Sequence, residues 1–207
     1  FVVIVREVNT APQITVPFNQ AITELTSLNV SASAVDADIP LNALTFALVS
    51  PPTGMTINPN TGAIAWLPNE AQGSNTYTVM VTVTDNSPQA VNAQQLSDTK
   101  SFTVTVNESN SPPRFTSVPA NQIITELTAL DLSVTAADDD LPANPLTYAL
   151  VSPPAGMNIN SGSGAITWTP TEAQGSNFYT ITVTVVDTNP VAINQKQFTI
   201  TTNFTVT

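Results

Sequence analysis

Carboxylates and asparagines recur at matching positions along this chain, and they are its residue types with the most capacity for chemistry. Carboxylate and amide oxygens are hard donors, and Ca²⁺ takes six to eight of them at about 2.3–2.6 Å. Zinc and copper favour nitrogen and sulfur ligands instead. The pattern therefore predicts calcium as the cofactor. The pairs, each at an offset of 102 residues, are Glu24 and Glu126, Asp36 and Asp138, Asp38 and Asp140, Asn42 and Asn144, Glu70 and Glu172, and Asp85 and Asp187.

The spacing Asp36-x-Asp38 bears on where such a site could form. In a loop at the end of a strand, both carboxylates can converge on one cation. An alternative interpretation needs no metal, since Asp and Asn are favoured in turns and caps for their own hydrogen bonds.

Composition excludes several classes of protein. The 207 residues contain no cysteine and no histidine, so thiolate or imidazole metal sites and the commonest general base are absent. The formal net charge of −11 disfavours binding to nucleic acid and to anionic membrane surfaces. No apolar run approaches the length of about 20 residues that spans a bilayer, so we predict no membrane insertion.

Enzymatic activity is disfavoured by the duplication of the acids. Paired carboxylates can hydrolyse glycosides, but each pair of this chain occurs twice, and duplicate structural sites are commoner than duplicate catalytic ones. We therefore predict that the protein is not an enzyme and assign no catalytic residue.

The acids belong to a long internal repeat. Residues 19–105 recur as residues 121–207 without a gap, with 52 of 87 aligned positions identical. A repeat of about 100 residues has the size of a whole β-sandwich domain. Tyr77, Val79, Val81 and Val83 alternate with polar residues, which is typical of strands with one buried face. We predict an all-β fold of two tandem seven-stranded sandwiches.

Domain boundaries follow from the repeat. We predict repeat 1 at residues 9–106, a linker at residues 107–111 and repeat 2 at residues 112–207. The segment Phe1–Val5 matches Phe102–Val106 in pattern. Residues 1–8 are therefore predicted to be the last strand and linker of a preceding repeat.

Several short motifs in a fixed order resemble a known family. They are Thr23-Glu24-Leu25, Ala34-Val35-Asp36-Ala37-Asp38, Leu44-Thr45-Phe46-Ala47-Leu48, Thr61-Gly62-Ala63-Ile64 and Val83-Thr84-Asp85. Together they resemble cadherin-like repeats of the dystroglycan type, which are grouped with the putative Ig modules of bacterial surface proteins. The resemblance covers both repeats, and it includes the spacing Asp-x-Asp-x-x-x-Asn in each. It implies that the two predicted sandwiches are Ig-like, cadherin-like domains with Greek-key topology.

In cadherins calcium lies between successive repeats, and the resemblance implies the same ligands here. The implied inter-repeat site comprises Glu24, Glu70, Asn107, Asn110, Asp138, Asp140, Asn144 and Asp187. A partial site at the top of repeat 1 comprises Asp36, Asp38, Asn42 and Asp85. The linker Asn107-Glu108-Ser109-Asn110-Ser111 carries asparagine where cadherins carry aspartate, which implies fewer or weaker ions.

The resemblance implies a calcium-stiffened spacer or adhesion module of a larger secreted or cell-surface protein. Its expected partners are other repeats of the parent chain, with a cell-surface protein or a polysaccharide as further candidates. The alternative is a carbohydrate-binding accessory module of a secreted polysaccharide-degrading enzyme. Trp66 and Trp168 occupy matching strand positions, where core packing is the favoured interpretation and sugar stacking the other.

Overall fold

The structure is a computed structural model that describes residues 1–207. These residues form two compact units, Phe1–Glu108 and Ser109–Thr207. Each unit is built from strands and one short 3₁₀ turn, at Glu70–Gln72 in the first unit and Glu172–Gln174 in the second. The structure contains no helix with the length and apolar character that a membrane crossing requires.

The first unit forms a sandwich of nine strand segments. Its four-stranded sheet has the order β2-β9-β8-β5, its three-stranded sheet the order β3-β7-β6, and β1 pairs with β4. Because β1 and β2 are two parts of one sandwich strand, as are β3 and β4, the nine segments correspond to the seven predicted strands. The segments are β1 Gln13–Thr15, β2 Gln20–Thr23, β3 Leu28–Ser31, β4 Ser33–Val35, β5 Thr45–Val49, β6 Thr56–Ile57, β7 Ala63–Trp66, β8 Asn75–Thr84 and β9 Ser97–Asn107.

The second unit repeats this architecture. Its sheets have the orders β13-β16-β17 and β11-β15-β14, and β10 pairs with β12. The counterpart of β2 is reduced to an isolated parallel bridge between Gln122 and Val206. The segments are β10 Arg114–Ser117, β11 Leu130–Ser133, β12 Thr135–Ala137, β13 Thr147–Val151, β14 Asn158–Ile159, β15 Ala165–Trp168, β16 Tyr179–Thr188 and β17 Gln197–Val206.

The predicted alternation of buried and exposed residues is confirmed in β8. Val79, Val81 and Val83 are fully buried, whereas Met80 between them is 40% exposed. Fully burying one such apolar side chain stabilises the folded state by about 1.5–3 kcal/mol. The core of each unit therefore lies between its sheets, and the strand ends beyond it carry the polar residues.

The segment Phe1–Val5 forms no strand, and its side chains are exposed. A strand needs a hydrogen-bonded neighbour, and the first pairing along the chain is the isolated parallel bridge between Glu7 and Ala90. The assignment of this segment to a preceding repeat stays a prediction.

Candidate metal centres

Three glutamates of the first unit form the group that we call the glutamate cluster: Glu24, Glu70 and Glu108. Each offers a carboxylate oxygen, and these oxygens lie within 4.8 Å of one another. Glu24 follows β2, Glu70 opens the 3₁₀ turn and Glu108 follows β9. The Glu24 N–H donates to the Asn107 carbonyl at 3.1 Å, which ties the end of β2 to the end of β9. Glu24 and Glu108 are only 3% and 1% exposed.

Gly73 creates the space in which the glutamate cluster lies. A Cβ atom at this position would be 2.8 Å from both Glu24 Cδ and Glu108 Oε2, closer than real Cβ contacts. Gly73 has φ −63°, so its backbone conformation suits any residue. The site therefore requires glycine at this position for space and not for conformation.

Gln72 and the core tryptophan hold the turn beside Gly73. The Gln72 Oε1 accepts the Asn69 N–H at 2.9 Å, and its Nε2 donates to the Thr53 carbonyl at 3.2 Å. The same carbonyl accepts the Trp66 Nε1–H at 3.0 Å. The second unit repeats these bonds at Gln174 and Trp168. The turn that presents Glu70 is thus anchored to the core.

The first aspartate cluster comprises Asp36, Asp38 and Asp85, whose carboxylate oxygens lie within 4.8 Å of one another. Asp36 and Asp38 follow β4, and Asp85 follows β8. The Asp38 N–H donates to Asp36 Oδ1 at 2.9 Å. This local bond turns the chain out of the strand conformation, so that both carboxylates converge as the loop interpretation predicted.

Asn9 and Thr10 complete the first aspartate cluster. Asn9 Nδ2 donates to Asp85 Oδ1 at 3.0 Å, and the Thr10 N–H donates to Asp38 Oδ2 at 3.1 Å. Asn42 Nδ2 also donates to Asp38 Oδ2, at 3.2 Å. The predicted residues of the partial site in repeat 1 therefore do come together, with Asn9 as an addition that the sequence analysis missed.

The second aspartate cluster comprises Asp138, Asp140 and Asp187 and has the same construction. The Asp140 N–H donates to Asp138 Oδ1 at 2.9 Å, and the Ser111 N–H donates to Asp140 Oδ2 at 2.9 Å. Asn110 Nδ2 donates to Asp187 Oδ2 at 2.7 Å. The structure therefore brings together four predicted ligands of the second unit in a single group of side chains.

Burial affects the titration of two carboxyls in the second aspartate cluster, those of Asp140 and Asp187. Burial raises the pKa of the Asp140 carboxyl, and the nearby Asp138 carboxylate adds to the rise. Burial also raises the pKa of Asp187, with smaller contributions from Asp138 and Asp140, while the hydrogen bond from Asn110 acts in the opposite direction. The charged forms of these groups are thus disfavoured in the absence of a cation.

Both aspartate clusters contain buried oxygen atoms that have no hydrogen-bond partner. A buried acceptor without a partner costs about 1–3 kcal/mol, and six such atoms in two matched sets indicate a common ligand. A bound cation would satisfy them, and a spacing below 4.8 Å is compatible with Ca–O distances of about 2.3–2.6 Å. The atoms are Asn9 Oδ1, Asp36 Oδ2 and Asp85 Oδ2 in the first unit, and Asn110 Oδ1, Asp138 Oδ2 and Asp187 Oδ1 in the second.

Some predicted ligands have different surroundings from those expected. Asn107 ends β9, and its carbonyl is engaged by the Glu24 N–H. Asn144 has a buried Nδ2 without a partner. Glu108 was treated as a linker residue and lies in the glutamate cluster instead. The recurrence of Glu-x-Asn at Glu7 and Asn9, matching Glu108 and Asn110, is the sequence signal that could have identified it.

The two tryptophans do not form a sugar-stacking surface. Trp66 and Trp168 are each 3% exposed. Each packs edge-on against a tyrosine, Tyr77 at 5.0 Å and Tyr179 at 5.2 Å between ring centroids. Their packing role agrees with the favoured interpretation, and neither tryptophan is available to stack on a sugar.

Comparison with known proteins identifies the family. Residues 8–107 and 112–206 match the family described as Putative Ig domain. The chain belongs to this family. No curated protein matches it. The two Putative Ig domains also share the cadherin-repeat fold, as expected from the resemblance.

Solved cadherin structures are similar to both domains of the chain. Mouse cadherin-23 EC22-24 has a TM-score of 0.52 at 22% identity, over 95% of this chain and 63% of that one. Drosophila N-cadherin EC1-4 has a TM-score of 0.56 at 19% identity, over 96% and 49%. Human protocadherin-24 EC1-2 has a TM-score of 0.52 at 18% identity, over 96% and 97%. Identities this low establish the fold alone.

Proposed function

We propose that this protein is a calcium-binding spacer and adhesion module of a larger secreted or cell-surface protein, without catalytic activity. The observation that carries the proposal is the duplicated set of buried oxygens in the two aspartate clusters. A cation-free role as turn residues would leave these acceptors unsatisfied in both units. Cadherin-like Ig repeats suggest an adhesion or spacer role in general. The aspartate clusters support calcium as the ion that these repeats would bind.

Each unit offers calcium the same set of side chains, three aspartates and one asparagine. In the second unit Asp138, Asp140 and Asp187 would supply carboxylate oxygens, and Asn110 would supply its amide oxygen. Bound calcium would supply positive charge that offsets the repulsion among these carboxylates. Asp36, Asp38, Asp85 and Asn9 would do the same in the first unit.

The stiffening part of the proposal is supported by the order of residues along the chain. Glu108 belongs to the glutamate cluster and Asn110 to the second aspartate cluster, so that only Ser109 separates them in the sequence. Calcium bound at the glutamate cluster and at the second aspartate cluster would hold the backbone on both sides of Ser109. Fixing the backbone of a residue removes conformational entropy worth about 1–2 kcal/mol, and calcium binding would offset that cost.

Calcium affinity bears on localisation. Extracellular modules bind calcium at about 10⁻⁴–10⁻³ M, and asparagines in the linker favour the weaker end of that range. Sites of this strength are occupied where calcium is millimolar, so we place the protein outside the cell or on its surface. Its repeats at residues 9–106 and 112–207, with the linker at residues 107–111, would associate with other repeats of the same parent chain.

Titration calorimetry with calcium chloride tests the proposal on the full chain. The wild type should bind calcium, Asp85→Ala should lose the first aspartate cluster and Asp187→Ala the second. Asp131→Ala is the matched control, because Asp131 is an exposed carboxylate on β11 outside the clusters. For a site at the weaker end of the extracellular range, about 10⁻³ M, 10 mM calcium should stabilise the folded state by about 1.4 kcal/mol. An absence of binding heat together with identical melting in calcium and in chelator would contradict the proposal.

A further inference from the structure

Two asparagines outside the clusters make matching contacts with the asparagines inside them. In the first unit Asn92 lies in the loop between β8 and β9. Its Oδ1 accepts the Asn9 N–H at 2.8 Å, and its Nδ2 donates to the Asn9 carbonyl at 2.8 Å. One side-chain amide thus bonds both backbone groups of Asn9, as a neighbouring strand would.

The second unit has the same arrangement with the same distances. Asn194 lies in the loop between β16 and β17. Its Oδ1 accepts the Asn110 N–H at 2.8 Å, and its Nδ2 donates to the Asn110 carbonyl at 2.8 Å. The contacts join residues 84 positions apart in this unit and 83 in the first. Both repeats have thus kept this contact, which is consistent with a specific role for it.

Holding both backbone groups of Asn110 fixes the direction of its side chain. The Asn110 Nδ2 then donates to Asp187 Oδ2 at 2.7 Å. The remaining oxygen of each side chain, Asn110 Oδ1 and Asp187 Oδ1, is buried and has no hydrogen-bond partner. If the Asn194 contact served only to attach the segment around Asn110, the Asn110 Oδ1 would not need to be left without a hydrogen-bond donor. The same two atoms, at Asn9 and Asp85, remain without partners in the first unit.

We propose that Asn92 and Asn194 are positioning residues, each of which orients the amide oxygen of Asn9 or Asn110 for a cation in the adjacent aspartate cluster. This inference rests on the proposed calcium binding. It adds to that function a pair of residues that touch no cation themselves and that set the affinity of the site through the residue they hold. Residues in this role typically change metal affinity by about 10–100-fold when they are replaced.

The exposure of the two residues makes the test practicable. Asn92 and Asn194 are exposed, so truncating either side chain leaves no cavity in the core. Gln195 is a matched control for Asn194, because it is exposed, lies next in sequence and donates instead to the Gln197 carbonyl at 2.7 Å. Replacing Gln195 changes the same loop without changing a contact to Asn110.

The experiment is a calcium chloride titration of the full chain, followed through the backbone amide resonance of Asn110 so that the second aspartate cluster is observed by itself. Asn194→Ala should weaken calcium binding there by at least about tenfold, and Gln195→Ala should leave it unchanged. In the calcium-free protein, the Asn110 amide hydrogen should exchange with solvent faster in Asn194→Ala than in the wild type. That exchange rate is a readout that does not depend on bound calcium.

A double substitution separates positioning from general stability. In an Asn110→Ala background the amide oxygen is already lost, so Asn194→Ala should cause no further loss of calcium affinity. If Asn194→Ala lowered calcium affinity equally in the wild type and in the Asn110→Ala background, the inference would be overturned. A wild-type calcium affinity in Asn194→Ala would also overturn it. If the wild type itself does not bind calcium, the proposed function fails and the inference fails with it. Binding in the wild type with unchanged affinity in Asn194→Ala overturns the inference alone.

Discussion

The two units share their aspartate clusters but differ in how the first strand is held. In the first unit the Ile14 N–H donates to Asp98 Oδ2 at 2.9 Å, and Lys100 Nζ donates to the Ile14 carbonyl at 2.7 Å. Side chains of β9 therefore satisfy the free edge of β1. The corresponding positions of β17 are Ile200 and Thr202, which cannot make these two bonds.

The second unit has other contacts at its first strand. Phe115 pairs with Ala136 at the register position that Ile14 has in the first unit, and the register shifts between Phe115 and Ser117. Arg114 at the start of β10 pairs with Asp139. The repeats have thus diverged in the support of a strand edge while keeping the aspartate clusters, which indicates that the clusters tolerate less change than the edge does.

The largest expected effect tests whether the two cores are equivalent. Trp66→Ala should destabilise the first unit by about 3–5 kcal/mol, because a buried aromatic side chain and its bond to the Thr53 carbonyl are lost. Trp168→Ala should cost the second unit a similar amount. Circular dichroism during urea unfolding measures the loss in the mutated unit. The chain has only these two tryptophans, so in each variant the fluorescence of the remaining one follows the unmutated unit separately.

The milder Trp66→Phe serves as the control for that comparison. It should keep most of the packing against Tyr77 and lose only part of the stability. The Trp168 transition should remain at its wild-type urea midpoint in both variants of the first unit. A parallel shift of that midpoint would mean that the two units do not unfold independently.

The next effect concerns the strand edge in which the units differ. Lys100→Met keeps most of the apolar stem but leaves the carbonyl of the buried Ile14 without its charged donor. We expect a loss of about 1–2 kcal/mol from the first unit, measured by chemical unfolding with tryptophan fluorescence. Thr202→Met at the matched position of β17 should change the second unit far less, and equal losses in both units would show that the lysine contact is not the cause.

A smaller effect is expected at the glutamate cluster. Gly73→Ala would place a Cβ atom 2.8 Å from Glu108 Oε2 and Glu24 Cδ, and the Glu24 side chain would have to move away. Calcium affinity at this cluster should fall by about tenfold, or about 1.4 kcal/mol, with the unfolding midpoint in chelator nearly unchanged. Calorimetry on the full chain measures the affinity.

Gly162→Ala is the control for Gly73→Ala. Its nearest neighbour would be Asn160 Oδ1 at 3.7 Å, an ordinary contact, so that neither calcium affinity nor folding should suffer. Unchanged calcium binding in Gly73→Ala would remove the glutamate cluster from the proposed sites and leave the aspartate clusters in place.

The fold could be predicted from the sequence because its determinants are local and repeated. Alternation along β8 and β9 specifies which face of each strand is buried, and the duplication of the pattern identifies two domains. The division of the first sandwich strand into β1 and β2 could not be predicted in this way. It depends on which sheet each part pairs with, and β1 pairs with β4 whereas β2 pairs with β9.

The candidate sites were predictable where ligands recur within the aligned repeat, as Asp36 and Asp138 do. Glu108 and Asn9 were missed because they lie in the short segments that precede each aligned repeat, where only the resemblance named ligands, Asn107 and Asn110. Asn92 and Asn194 were missed for a different reason, since their role depends on a contact between residues about 84 positions apart. An asparagine in a loop has many uses, and only the folded structure distinguishes among them.

The smallest effect is expected at the surface contact that distinguishes the second unit. Arg114 lowers the pKa of Asp139 through a hydrogen bond, but both side chains are largely exposed, at 57% and 76%. Exposed ion pairs are screened by solvent and salt and contribute little to stability. Arg114→Ala should therefore leave the unfolding midpoint of the second unit within experimental error of the wild type, at low salt and at high salt. A clear loss at low salt that disappears at high salt would show that this pair takes over part of the support that Asp98 and Lys100 give to the first unit.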